Sequence, residues 1–79
     1  MINRLYVIFD KVAEESGPIF EAKNEAVAIR QYQNIVQRDQ VRADDYKLLY
    51  VGSMDHDNSQ IDACTFPEEI NTNKVVEVE

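Results

Sequence analysis

The stretch from Gly17 to Tyr32 constrains the fold most, because it predicts a turn and a short strand and then begins the only convincing helix in the chain. Its Gly-Pro pair predicts a turn, and residues 19–22 then predict a short strand. Asn24 suits the N-cap of a following helix, since its side-chain oxygen can accept a hydrogen bond from a free backbone N–H. Residues 25–38 contain no Gly or Pro, so we expect one helix of that length.

The predicted helix has one apolar stripe and one polar face. Five apolar residues recur at the spacing of one side of an α-helix, which indicates that this side packs against a sheet. These residues are Ala28, Ile29, Tyr32, Ile35 and Val36. The polar face carries amides and positive charge, with Lys23 just before the helix and Arg30 and Arg38 within it. We expect the stripe to join the core and the polar face to remain accessible.

Three further segments have the composition of β-strands. Residues 4–10 are rich in β-branched and aromatic side chains on both alternating faces, so they predict a central strand. Residues 11–18 lose this alternation and predict a loop that ends in the Gly-Pro turn. Residues 46–53 predict another strand, in which Gly52 indicates a bulge or a close backbone approach. Turn-forming residues follow, and residues 60–66 predict the returning strand of a hairpin.

The predicted element order is β-β-α-β-β. This order favours an α+β fold, in which an antiparallel sheet of about four strands carries one helix packed on one face. We assign residues 1–70 to this single domain and residues 71–79 to an acidic C-terminal tail. The tail is either frayed or a terminal strand that pairs with a second subunit.

Size and charge limit the functions open to this domain. A chain of 79 residues buries a small core, so we expect extra stability from self-association as a homodimer. The chain has one cysteine, and its apolar runs are too short for a signal peptide or a membrane span, which favours a soluble cytoplasmic protein. The net charge of −7 argues against indiscriminate nucleic-acid binding. Residues 22–43 are nevertheless net positive, since Lys23, Arg30, Arg38 and Arg42 outnumber the carboxylates there.

The sequence contains no convincing motif for catalysis or for a metal. The spacing of Asp55–Ser59 is similar to the start of a calcium loop, but Gln60 replaces the required Gly and Phe66 the final Glu, which favours a hairpin turn. His56 lies in this turn without a nucleophile in a recognisable motif, so we interpret it as a solvent-exposed turn residue. Cys64 has acidic neighbours, which favours a packed thiol over a nucleophile. We therefore predict no enzyme activity, no metal and no cofactor.

Two runs of residues carry a family resemblance. One extends from Tyr6 to Arg30 and contains GPIFEAKN at residues 17–24, and the other extends from Asp45 to Asp55. Together they resemble the small nonstructural protein of gokushovirus-type microviruses, which are bacteriophages with single-stranded DNA. The resemblance covers residues 1–55, and the last third of the chain contributes no matching motif.

The resemblance implies a nonstructural protein that is made in the cytoplasm of the host bacterium and assists viral DNA replication by binding single-stranded DNA. Lys23 and Arg30 lie inside the matching runs, so the resemblance implies that they contact phosphates. The prediction that Arg38 and Arg42 bind nucleic acid depends only on the local excess of positive charge. Because the net negative charge of the chain disfavours DNA binding, the alternative is a non-catalytic adaptor that binds the replication initiator or a host replication factor.

Overall fold

Strand β1 lies at the centre of the sheet. The computed structural model describes residues 1–38 and 43–72. The elements are β1 (Ile2–Asp10), β2 (Glu15–Ser16), β3 (Phe20–Ala22), α1 (Glu25–Arg38), β4 (Tyr46–Asp55) and β5 (Gln60–Ile70). A single 3-10 turn, Ala43–Asp45, precedes β4.

All strand pairs are antiparallel. β4 pairs with β1 along its whole length, from Ile2 opposite Asp55 to Asp10 opposite Tyr46, and β5 pairs with the outer side of β4. The other side of β1 pairs with β3 near its start and with β2 at its end. The predicted α+β fold is therefore confirmed, with a fifth short strand added to the expected sheet.

Strand β2 replaces part of the predicted loop at residues 11–18. The Oδ1 atom of Asp10 accepts hydrogen bonds from the backbone N–H groups of Val12 at 2.9 Å and Ala13 at 3.0 Å. Glu14 takes a positive φ of 58°, and Glu15–Ser16 then pair with the end of β1. The loop prediction was wrong at these two residues, because the Asp10 carboxylate turns the chain back onto its own strand and so short a strand shows no alternation.

Helix α1 begins and ends at the predicted residues, Glu25 and Arg38. The Oδ1 atom of Asn24 accepts a hydrogen bond from the backbone N–H of Val27 at 2.9 Å, so the predicted N-cap is confirmed. The apolar stripe is also confirmed. It consists of the buried residues Ala28, Ile29 and Tyr32 and the half-buried residues Ile35 and Val36.

The core lies between α1 and one face of the sheet. Its buried members are Tyr6, Ala22, Ala28, Ile29, Tyr32, Leu48 and Ile70. The hydroxyl of Tyr32 donates a hydrogen bond to the carbonyl oxygen of Tyr46 at 3.1 Å, which joins the helix to the start of β4. Leu5 and Val7 alternate with Tyr6 and lie on the other face of β1, where they are buried too. This agrees with a central strand that is apolar on both faces.

Strand β5 has 11 residues, four more than the predicted strand at residues 60–66. Its pairing with β4 is interrupted between Ala63 and Glu68. The residues between them leave the ladder, and Pro67 among them has no N–H with which to continue it. Phe66 lies in this interruption with 81% of its surface exposed.

The end of the described chain lies on α1. The backbone carbonyl oxygen of Thr72 accepts a hydrogen bond from Nε2 of Gln33 at 3.3 Å. The predicted tail at residues 71–79 therefore begins in contact with the helix. The rest of it, including the alternative of a terminal strand, lies outside the described residues.

Gly52 lies at the predicted irregularity of β4. The register between β1 and β4 shifts next to it, so a bulge is confirmed. The close backbone approach is confirmed as well, because a Cβ atom at position 52 would lie 2.4 Å from the carbonyl oxygen of Asp62 on β5. Only a residue without a side chain fits between the two strands here.

We expect Gly52→Ala to lower the free energy of unfolding by about 1–3 kcal/mol, because the added methyl group would overpack a site enclosed by backbone atoms. Gly17→Ala is the matched control, since a Cβ atom there would lie 3.4 Å from its nearest neighbour, the carbonyl oxygen of Ile8. Urea denaturation followed by circular dichroism measures both variants. Equal losses of stability would contradict the close approach at position 52.

Candidate nucleic-acid interface

The basic residues predicted as phosphate contacts do not converge on one point. Lys23 is exposed in the bend between β3 and α1, and Arg30 is exposed on the helix. Arg38 is exposed in the last turn of α1, about 12 Å beyond Arg30 along the helix axis. Arg42 lies outside the described residues. The three described residues therefore form a strip along α1 rather than a pocket.

A further basic residue, Arg4, lies beside the start of this strip. Arg4 pairs across the sheet with Ala22, and Lys23 follows Ala22 directly in the chain. Both charged residues are exposed. The sheet thus brings the backbone of Lys23 close to that of Arg4 at the start of β1, although the residues are far apart in sequence.

The guanidinium group of Arg4 stacks on an aromatic ring. Its Cζ atom lies 5.1 Å from the centroid of the Tyr50 ring, which is within the range of a cation–π contact. Its Nη1 atom donates a long hydrogen bond of 3.5 Å to the hydroxyl of Tyr6. Because Tyr50 is only half-buried, Arg4 and Tyr50 present a positive charge and an aromatic surface side by side.

The core holds Tyr50, and with it Arg4, in position. The ring centroid of Tyr6 lies 5.5 Å from that of Tyr50 and 5.9 Å from that of Phe20. Tyr6 is fully buried, so Tyr50 packs against a ring that belongs to the core. An aromatic pair of this kind contributes about 0.5–1.5 kcal/mol beyond the area it buries. The candidate site therefore rests on strands rather than on a loop.

Arg4 and Tyr6 each shift the pKa of the other. Burial raises the pKa of the Tyr6 hydroxyl above its ordinary value, while the neighbouring Arg4 partly opposes this shift. The hydrogen bond to Tyr6 and the attraction between the two groups raise the pKa of the Arg4 guanidinium, and Glu25 adds a smaller contribution. At neutral pH, Arg4 is therefore positive and Tyr6 is a neutral phenol.

Reasoning from the sequence missed Arg4. The one sequence signal that could have identified it is the alternation of β1, which places Arg4 on the same face of the strand as Tyr6. That Tyr50 lies beside them follows from the pairing of Tyr6 with Tyr50 across β1 and β4. This register is not visible in either segment alone.

A second cluster of charges lies at the hairpin between β4 and β5, whose predicted turn is confirmed. The Oδ1 atom of Asp55 accepts a hydrogen bond from the backbone N–H of Asp57 at 2.9 Å. The Oδ2 atom of Asp57 lies 2.7 Å from the ammonium group of Met1. His56 is exposed, as expected, but its Nε2 atom also lies 2.7 Å from Oε1 of Glu21 on β3. Within residues 1–38 and 43–72, no group of three His, Cys, Asp or Glu side chains is placed to hold a metal ion.

The structure defines a small two-layer α+β domain with an arginine–tyrosine stack on the two central strands of its sheet, β1 and β4. In the described part of the chain, no helix has the length and apolar character needed to cross a membrane. The chain belongs to the Phage ORF5 protein family, whose model matches residues 3–78. No curated protein and no solved structure matches it. The resemblance to a bacteriophage protein is confirmed at the level of this family, and the role in replication stays a prediction.

We expect Tyr6 to ionise only above the ordinary tyrosine pKa of about 10, because the fold buries it as a neutral phenol. Since its pKa is higher in the folded than in the unfolded state, its contribution to stability is complete below about pH 10 and is lost as the pH rises through the folded-state pKa. Tyrosinate absorbance during an alkaline titration measures this in the wild type and in Tyr6→Phe. If the absorbance lost in Tyr6→Phe develops below about pH 10, the expected shift is wrong.

Proposed function

We propose that this phage protein assists viral DNA replication by binding single-stranded DNA, without catalysing a reaction. The observation that carries the proposal is the stack of Arg4 on the half-exposed ring of Tyr50, and Lys23 directly follows Ala22, the residue that pairs with Arg4. Proteins that bind single strands combine positive side chains, which contact phosphates, with aromatic rings, on which bases stack. Membership of a phage family and the resemblance to gokushovirus nonstructural proteins agree with this role.

The proposed site suits a strand of a few nucleotides. Arg4 and Lys23 contact phosphates, and a base that stacks beside Tyr50 contributes about 1–3 kcal/mol. Arg30 and Arg38 continue the positive strip along α1 toward the next phosphates. Because the whole chain has a net charge of −7, the remaining surface repels DNA. We therefore expect binding that is confined to this surface and depends strongly on salt.

Titration of a fluorescently labelled oligothymidylate at several salt concentrations, followed by anisotropy, tests the proposal. We expect Arg4→Gln and Lys23→Gln each to weaken binding and to reduce the logarithmic salt slope by about 0.7, the value for one phosphate contact on a single strand. Tyr50→Leu should weaken binding by removing the stacking ring, with little change in the salt slope.

Lys11→Gln is the matched control for this titration. Lys11 is exposed just beyond the other end of β1, about 23 Å from Arg4 along an extended strand, so the variant loses the same charge at a distance. The proposed site would be contradicted by equal losses of affinity in Lys11→Gln and Lys23→Gln. A complete lack of binding at low salt would contradict DNA binding altogether.

A second candidate function is that of a non-catalytic adaptor for the replication initiator or a host replication factor. The outer edge of β5 favours it, because no strand within the described residues pairs with this edge. Asp62, Glu68 and Glu69 add negative charge to the strand. An open edge allows a strand of a partner protein to extend the sheet. A pull-down from infected cells that recovers viral DNA and no partner protein would count against the adaptor.

The homodimer expected from the sequence stays a prediction. The described residues bury nine apolar side chains, which is a small core, and self-association would add buried area. Light scattering distinguishes the two states, because a dimer has twice the monomer mass of 9.1 kDa. A measured mass equal to that of the monomer at micromolar concentration would contradict the homodimer.

A further inference from the structure

A groove of about 450 Å³ opens between α1 and the chain that connects β2 to β3. Its lining is mainly apolar and includes Ile8, Ile19, Phe20, Ile35 and Tyr46. This volume lies within the range of pockets that hold compact ligands. Ile19 is 62% exposed, although an isoleucine side chain gains stability when it is removed from water. The groove is thus an apolar surface that the described part of the chain leaves open.

One part of the groove carries negative charge. Asp10 and Glu15 both line it, and they are opposite each other in the pairing of β1 with β2. The hydrogen bonds that Asp10 Oδ1 accepts from Val12 and Ala13 hold its carboxylate in place. Within residues 1–38 and 43–72, the residues that line the groove include no Lys or Arg. The groove therefore complements a positively charged partner and repels phosphate groups.

The same side of the molecule has an open sheet edge. β2 and β3 are the outermost strands here, and within the described ranges no strand pairs with their outer sides. The backbone N–H of Gly17 donates to the carbonyl oxygen of Ile8 at 2.9 Å, which keeps the connecting chain close to β1. A strand edge beside an apolar groove suits an extended peptide, whose backbone bonds to the edge while its side chains enter the groove.

We propose that this groove docks an extended, positively charged segment of a partner protein. A large apolar side chain of the partner enters the groove, and a flanking Lys or Arg pairs with Asp10 and Glu15. A second copy of this chain carries a net charge of −7, so it complements the acidic part of the groove poorly. The groove does not include Arg4 or Tyr50, so this proposal stands independently of DNA binding.

A set of three designed peptides tests the docking. The probe is a short fluorescein-labelled peptide with a central Leu-Phe pair flanked by arginines. One matched peptide has glutamates in place of the arginines, and the other has glycines in place of the Leu-Phe pair. We expect the probe to bind saturably and to shift the amide resonances of the groove residues. Both matched peptides should bind at least about tenfold more weakly.

Ile19→Asp and Ile61→Asp are matched variants for this test. The two side chains are almost equally exposed, at 62% and 61%, but Ile61 lies on β5, away from the groove. We expect Ile19→Asp to weaken binding of the probe at least about tenfold and Ile61→Asp to leave it unchanged. Glu15→Lys should also weaken binding, whereas Glu68→Lys makes the same charge change on β5 and should not.

Several results would overturn the docking proposal. They are a lack of probe binding at the concentrations used for NMR, equal binding of the glutamate peptide, and equal losses of affinity in Ile19→Asp and Ile61→Asp. Light scattering tests whether a second copy of the chain occupies the groove instead. If the wild type is a dimer and Ile19→Asp converts it to a monomer, the groove binds a second copy, and the docking proposal is overturned. Since groove variants should leave the titration with DNA unchanged, the two sites are tested separately.

Discussion

The burial of Tyr6 is the contact on which the rest of the structure depends. Its ring is fully buried at the centre of β1, where it packs between the rings of Phe20 and Tyr50 in the core that α1 covers. Full burial of a large side chain contributes about 1.5–3 kcal/mol. The hydroxyl of the same residue lies within 3.5 Å of Nη1 of Arg4 at the surface. One side chain therefore stabilises the fold and positions the candidate DNA site.

The candidate DNA site and the acidic part of the groove lie toward opposite ends of β1. Arg4 and Lys23 lie at its start, and Asp10 and Glu15 lie at its end. The ends are about 20 Å apart along the strand, which is more than twice the screening length of about 8 Å at physiological ionic strength. At this distance the two groups of charges are largely screened from each other. This separation allows a site for phosphates and a site for a positively charged peptide on one small domain.

Both irregularities of the sheet lie at residues with unusual backbone chemistry. Gly52, which has no side chain, lies where β4 bulges against β1 and where the backbone of β5 approaches closely. Pro67, which has no N–H, lies where β5 leaves its ladder and exposes Phe66. Gly52 was recognisable as irregular in the sequence, since the cause is local, whereas the predicted strand ended at Phe66, before Pro67. The direction in which each irregularity displaces the chain depends on the neighbouring strand.

The sequence by itself determined the bounds of α1, its cap at Asn24, its buried stripe and the α+β order of elements, because each follows from spacing within one segment. It also marked Lys23 and Arg30 as accessible, since both lie outside the apolar stripe. The tertiary structure alone decided that Arg4 stacks on Tyr50 and that an acidic groove opens beside β2. The physical reason is register: alternation shows which face a side chain occupies, but only the pairing of two strands decides which side chains meet.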